Sequence, residues 1–224
     1  MKLLSEANPK IVKGEKYGYL TKILHLAPHK SSGFNVCKNA SKGCSEACLF
    51  YQGRGQMTSV QKARLRKTEM FFENKSEFMD TLHKEIKQTM KQAERKNMTP
   101  AIRLNGTSDI PWERVKYGNH KNVFEAFPDL QFYDYTKRTD RKDLPSNYHV
   151  TFSLSEDNDE AAKEALKNGM NVAVVFRDEL PETFWGYPVY DGDDTDLRFL
   201  DPQGHVIGLK AKGSAKKDTS GFVR

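Results

Sequence analysis

Three closely spaced cysteines are the residues of this sequence with the clearest chemistry. Cys37, Cys44 and Cys48 are all the cysteines of the 224-residue chain, and they share the segment FNVCKNASKGCSEACLF. An odd number of neighbouring thiols cannot pair completely as disulfides within one chain. Thiolates are soft ligands that suit zinc and iron–sulfur clusters. The segment therefore predicts a metal or cluster site.

The spacing of the thiols favours a 4Fe–4S cluster. Six residues separate Cys37 from Cys44, three separate Cys44 from Cys48, and nearby glycines let the backbone wrap closely around a cluster. Three thiolates leave one iron open to a small-molecule ligand, a substrate, or His25 or His29. Zinc is the alternative metal, with His29 as its fourth ligand, although a second short cysteine pair is missing. Three buried small residues in a turn are the simplest alternative.

Strands alternating with helices must position this segment. Runs rich in β-forming residues predict strands at 17–28, directly before the cysteines, and at 101–106, 130–136, 148–154, 171–177 and 205–211. Apolar residues at helical spacing predict helices at 59–72, 76–96, 123–127 and 157–169.

This alternation is typical of parallel β/α architecture. We expect one α/β domain over residues 1–224, built as a partial or complete (β/α) barrel with the Cys-rich loop after its first strand. A doubly wound open sheet is the alternative. The polar, glycine-rich tail at 213–224 is expected to form an exposed C-terminal arm.

Polar residues at the carboxyl ends of the predicted strands are candidates for binding a cofactor, because parallel β/α folds bind ligands there. These residues are Asn105, Thr107, Asp109, Ser153, Arg177 and Lys210. Asn105 and Thr107 have the alternative of satisfying loop backbone groups. Arg103 and Arg177 lie inside apolar runs, where an Asp partner is favoured over an anionic ligand or a cluster sulfide. The acidic run at 191–196 indicates a solvated turn rather than a calcium loop.

Composition limits the partners. The net charge is +6, but acidic residues interrupt the basic ones, so nucleic-acid binding is not favoured. No apolar stretch is long enough for a membrane span, and the N-terminus lacks the apolar region of a signal peptide. We therefore expect a cytoplasmic protein without a membrane partner.

The segments LHLAPHKSSGFNVCKNASKGCSEACLFYQGRG, VQKARLRKTEMFFENKSEFMDTL and GHVIGLKAKGSAKKDTSGFV together resemble the phage gene product 88 family. This resemblance implies a phage-encoded protein in the host cell cytoplasm. In architecture the chain is also distantly similar to radical S-adenosylmethionine enzymes, in which three cysteines after the first strand of a partial β/α barrel hold a 4Fe–4S cluster. In those enzymes the cysteines are usually separated by three and then two residues, whereas here they are separated by six and then three. Those enzymes also have a glycine-rich motif after the second strand, where this chain has RLNGTSDIPW.

The sequence thus predicts a phage iron–sulfur protein with one open iron, either a redox enzyme or a radical enzyme with S-adenosylmethionine as a second cofactor. The alternative is a noncatalytic phage factor in which a cluster or zinc staples the loop and the surface binds nucleic acid or a host protein. Neither a nucleophile–base pair nor a phosphate loop is identified from the sequence.

Overall fold

The computed structural model describes residues 1–6 and 13–224. Its strands are β1 (Leu4–Ser5), β2 (Tyr19–Leu24), β3 (Thr99–Arg103), β4 (Gln131–Thr136), β5 (Tyr148–Ser153), β6 (Val172–Phe176), β7 (Thr183–Phe184), β8 (Tyr187–Asp191) and β9 (Val206–Lys210). Its α-helices are α1 (Lys42–Glu46), α2 (Thr58–Glu73), α3 (Lys75–Arg95), α4 (Val123–Ala126) and α5 (Asp159–Lys167).

The nine strands of the described residues form one mostly parallel sheet in the order β1-β2-β3-β4-β5-β6-β9-β8-β7. Strands β2 to β6, then β9, pair in parallel with their neighbours, and β8 also pairs in parallel with β9. The short strands β1 and β7 pair antiparallel at the two edges. The predicted α/β class with a parallel sheet is therefore confirmed.

The sheet is open. Within the described residues, no pairing joins the edge strands β1 and β7, so the prediction of a complete barrel is wrong. Strands β2 to β6 lie side by side in the sheet in the same order as in the chain, so this part of the sheet lacks the reversal of strand order that defines a doubly wound sheet. Because β1 comes earlier in the chain, the strand before the cysteines is the second strand rather than the first.

Helix α3 covers one face of the sheet because its apolar residues recur at three- and four-residue spacing. Phe78, Leu82 and Ile86 are fully buried, and they share a core with Ile102 of β3 and Phe132 of β4. A second core lies where α5 packs on β5, β6 and β9. Burial of these large side chains holds the parallel strands in place, each contributing about 1.5–3 kcal/mol.

The C-terminal segment returns to the sheet. Pairing between β5 and β6 extends only as far as Ser153 and Ala173, and beyond it Val223 forms a parallel bridge with Val175. Val223 is only 5% exposed. The expectation of an arm exposed throughout 213–224 is therefore corrected at this end, because the tail occupies a gap between two strands.

None of the described helices combines the length and the apolar composition that crossing a membrane requires.

Candidate functional site

A cavity of about 790 Å³ lies at the carboxyl ends of the parallel strands. Its size is in the range of small-molecule pockets, about 300–1,000 Å³. The three cysteines line it, together with five of the six predicted cofactor-binding residues: Asn105, Thr107, Asp109, Ser153 and Lys210. The structure thus brings the cysteine segment and the strand ends to one place.

Local hydrogen bonds shape the cysteine segment, which is not a simple loop. Ser41 caps α1 by accepting a hydrogen bond from the Cys44 N–H at 3.1 Å. The Cys37 N–H donates to Asn35 Oδ1 at 3.0 Å. All three thiols are free and partly buried. The segment therefore presents three unpaired thiols to the cavity.

Helix α1 is docked on residues far away in the sequence. The Glu156 carboxylate, just after β5, accepts hydrogen bonds from Ser41 Oγ and the Gly43 N–H, both at 2.6 Å. A Cβ atom at Gly43 would meet Phe222 Cβ at 2.6 Å and also clash with the Ser220 hydroxyl. The β5–α5 connection and the C-terminal tail therefore fix the helix that carries Cys44.

Burial keeps two of the three thiols, those of Cys37 and Cys48, protonated. It raises the pKa of Cys37 to about 12, and the Cys37 Sγ lies 3.6 Å from the Thr107 carbonyl oxygen, which can accept its proton weakly. Burial also raises the pKa of Cys48, although the nearby charges of Arg64 and Lys137 oppose that rise. Binding of a metal or cluster would therefore release protons from these thiols.

Arg64 on α2 is buried, and it lies close enough to Cys48 for its charge to lower the pKa of that thiol. Its Nε and Nη1 atoms have no hydrogen-bond partner among the described residues, and its guanidinium lies 5.7 Å from the centre of the Phe50 ring. A buried guanidinium with unsatisfied donors is costly. An anionic group beside Cys48 would reduce that cost.

The two histidines predicted as ligands differ in position. His29 lines the cavity, its Nδ1 atom is buried without a partner in the described chain, and its backbone has a φ of 49°. His25 lies behind Gly106, where an added Cβ would come within 2.5 Å of its Nδ1 atom, and it does not line the cavity. Burial, followed by Arg64 and Arg103, lowers the pKa of His25 to about 3, so its ring is neutral. His29 is therefore the histidine available to a ligand.

Hydrogen bonds within the protein occupy three of the predicted binding residues. Asn105 Oδ1 accepts from the Ser108 hydroxyl and the Ile110 N–H. The Thr107 hydroxyl donates to the Leu26 carbonyl at 2.6 Å. Asp109 accepts from the Thr136 hydroxyl at 2.7 Å and from the Lys137 N–H at 2.9 Å. These residues hold the loops that form the wall of the cavity.

Arg177, the sixth predicted binding residue, lies away from this cavity. Its guanidinium donates to the carbonyls of Lys216 and Asp218, at 2.9 and 2.8 Å, and it does not line the cavity. It is exposed because β6 ends one residue earlier, at Phe176. Arg103, by contrast, has the expected acidic partner, with Nη1 2.7 Å from Asp196 Oδ2.

The contacts and environments of several polar groups of the site were not predicted from the sequence. Lys137 Nζ donates to Ser153 Oγ at 2.8 Å. The acidic run, expected as a solvated turn, contributes Asp193 and the buried Asp196 to the cavity wall. Beneath the cavity, burial raises the pKa of Asp134 to about 7, although Arg103 and an N–H donor oppose that rise. These residues are far apart along the chain, so no local sequence pattern predicts that they come together.

Over residues 1–6 and 13–224, no group of three or more His, Cys, Asp or Glu side chains is arranged to hold a single metal ion. A 4Fe–4S cluster makes a different demand, because its three thiolates bind three separate irons. The residues present meet that demand in type: three free thiols line one cavity, and His29, with an unpartnered ring nitrogen, also lines it.

Fold and site together define an open, mostly parallel α/β protein with a cysteine-lined cavity at its strand ends. The family model described as gene product 88 matches residues 2–224, so the chain belongs to this phage gene-product family. No curated protein and no solved structure matches the chain, and the comparisons give no support to the distant similarity to radical S-adenosylmethionine enzymes.

Proposed function

We propose that the protein binds a 4Fe–4S cluster through Cys37, Cys44 and Cys48 and leaves one iron open to a small ligand in the cavity. The observation that carries this proposal is that three free thiols from one segment line the same cavity as the polar strand ends. Thiolates on iron suit such a partly buried, soft-ligand environment. The site would operate in the host cytoplasm, where thiols stay reduced.

Charge around the thiols supports this assignment. A cluster held by three thiolates carries negative charge, and Arg64 and Lys137 place positive charge beside Cys48. The unpartnered nitrogens of Arg64 would gain an electrostatic partner. His29 lines the cavity and has an unpartnered ring nitrogen, so it is the candidate protein ligand for the fourth iron.

When bound, the cluster supplies an open iron that can act as an electron carrier or a Lewis acid, with S-adenosylmethionine as one candidate ligand. The protein's own residues hold the cysteine segment and the cavity wall in place. Glu156 fixes α1, while Asn105 and Asp109 fix the opposite wall. These three residues hold the site in place, and other residues of the cavity wall are left to contact a ligand.

Anaerobic purification from iron-replete cells tests the proposal. We expect a brown protein with about four irons and four sulfides per chain and a reduced-state electron paramagnetic resonance signal. The Cys44→Ser variant should lose most of the iron, whereas the control His205→Asn, whose imidazole bonds to the Gln203 carbonyl, should retain it. Iron and sulfide near zero in the parent protein would refute cluster binding.

The same samples separate the alternatives. One bound zinc that is lost in both Cys44→Ser and His29→Asn would establish a zinc site instead of a cluster. A change in the resonance signal on addition of S-adenosylmethionine would show that this molecule reaches the open iron. An unchanged signal would direct the function toward another ligand or toward electron transfer.

A further inference from the structure

Two lysines in the cavity wall, Lys137 and Lys210, have ammonium groups that form no ion pair with an acidic side chain of the described residues. Lys137 Nζ contacts the Ser153 hydroxyl at 2.8 Å and lies 5.7 Å from the centre of the Phe222 ring. The Lys210 side chain forms neither an ion pair nor a hydrogen bond with the described part of the chain; its backbone N–H bonds to Asp193. Both ammonium groups are therefore available to a ligand.

The acidic residues of the wall already have partners. Asp109 accepts from Thr136 and from the Lys137 backbone, Asp196 pairs with Arg103 at 2.7 Å, and Asp193 pairs with Lys212 at 2.6 Å. Their negative charges are thus offset by donors and cations. The positive charge of Lys137 and Lys210 remains for a molecule that enters the cavity.

Ser153 adds a directed donor. Because its oxygen accepts the hydrogen bond from Lys137, its hydroxyl proton is free to be donated elsewhere. A carboxylate or phosphate oxygen placed beside this pair would receive one hydrogen bond from each side chain. Charge-assisted hydrogen bonds of this kind are about twice as strong as neutral ones.

Apolar side chains complete the wall. Ala173 and Val175 of β6, Leu209 of β9 and Phe222 of the tail line the same cavity. A free inorganic anion would leave these surfaces in water, whereas an organic anion would cover them. Ligand pockets commonly combine an apolar wall with a few polar groups that fix orientation.

We propose that this cavity binds a small organic anion, with its carboxylate or phosphate held by Lys137, Lys210 and Ser153 and its apolar body on Val175, Leu209 and Phe222. The inference rests on the proposed function in assigning the cavity to a ligand, but it does not require the cluster. The proposed anion site and the three cysteines line the same cavity, so a cluster held by the cysteines would share that cavity with the ligand.

Fluorescence titration of the metal-free full-length protein tests this inference with 8-anilinonaphthalene-1-sulfonate, an anion with an aromatic body. We expect saturable binding and competition by inorganic phosphate. Uncharged N-phenyl-1-naphthylamine should bind about tenfold more weakly, because it lacks the anion. Lys137→Met and Lys210→Met should each weaken binding of the sulfonate about tenfold. Lys163→Met is the control, since this exposed lysine pairs with Glu160 on α5.

Absence of saturable binding, or equal affinity for the charged and uncharged probes, would overturn the inference. So would equal affinities of the two cavity variants and the control. Cluster binding is judged separately from iron and sulfide content. Anion binding without iron uptake would keep this inference and refute the proposed cluster, and iron uptake without anion binding would do the reverse.

Discussion

Glu156→Gln should release the helix that carries Cys44 from the rest of the protein. The Glu156 carboxylate is the acceptor that joins α1 to the β5–α5 connection, through Ser41 Oγ and the Gly43 N–H at 2.6 Å each. A glutamine has one acceptor oxygen, so its amide NH₂ would face one of these two donors. The substitution removes the charge and leaves one donor without an acceptor.

The magnitude follows from the bond types. A hydrogen bond to a charged group contributes about 1.5–3 kcal/mol. Loss of one bond and weakening of the other should therefore cost about 2 kcal/mol. Because α1 has only five residues and these bonds tie its first turn to the β5–α5 connection, we expect most of this cost to appear as local opening of α1, increased about thirtyfold.

Alkylation of the metal-free protein under native conditions measures this opening. Iodoacetamide should modify Cys44 much faster in Glu156→Gln than in the parent, as read by mass spectrometry. Glu160→Gln is the matched control, since the Glu160 side chain is 88% exposed and its ion pair with Lys163 contributes little. Alkylation of Glu156→Gln within twofold of the control would refute the docking role of Glu156.

Acidification should reproduce the effect of this substitution. Burial opposes ionisation of Glu156, but the hydrogen bonds from Ser41 and Gly43 outweigh it and lower the pKa below its ordinary value of 4.5. The group therefore stabilises the fold above that pH, and its contribution is lost as the pH falls through the lowered pKa. Alkylation cannot report this at low pH, so hydrogen exchange of α1 amides at pH 6 and pH 3.5 is the appropriate measurement. Equal loss of protection in Glu156→Gln and the parent would contradict the assignment.

Three further predictions concern residues around the cavity. Gly106→Ala should destabilise the protein by about 1–3 kcal/mol, because the new Cβ would lie 2.5 Å from His25 Nδ1 and Ile23 Cγ2. Gly14→Ala is the control, because its Cβ would meet Leu197 at an ordinary 3.5 Å. Equal midpoints of urea unfolding for the two variants would contradict the packing argument. Arg103→Met should cost about 3–5 kcal/mol at pH 8, because it leaves the buried carboxylates of Asp134 and Asp196 without their cation. The cost should be smaller at pH 5, because burial raises the pKa of Asp134 to about 7 and protonation removes its charge; an effect independent of pH would count against the pairing of Arg103 with Asp134. The His25 ring, with its pKa lowered to about 3, should show no titration between pH 5 and 8 by nuclear magnetic resonance, and a midpoint near 6.5 would show that the ring is hydrated.

Local sequence patterns predict most of the fold but not its edges. The apolar stripe of α3 and the apolar runs of β3 to β6 carry periodic signals that burial imposes on every residue of the element. Strands β1 and β7 have two residues each, too few for a period to appear. Whether a parallel sheet closes depends on twist and register between distant strands, which no local pattern records.

The same limit applies to the site. The cysteines were identifiable from residue type and spacing, and most polar strand ends from the rule that parallel strands present their carboxyl ends to one edge. The Lys137–Ser153 contact was missed because it depends on register: Thr136 lies opposite Phe152, which places the next residue of each strand side by side. The position of Arg177 away from the cavity was not predictable either, because its partners are carbonyls of the tail, whose path is set by tertiary packing.

The tail has a direct part in the cysteine site, and this explains why the site needs residues from both halves of the chain. Asp218 accepts hydrogen bonds from the Ser220, Gly221 and Val223 N–H groups, which shapes a turn that directs the chain end to β6. That turn places Ser220 and Phe222 against Gly43, where only hydrogen fits. The cysteine segment is therefore closed by chain that follows it by more than 170 residues. A family match over residues 2–224 accords with a site that cannot be assembled from the cysteine segment alone.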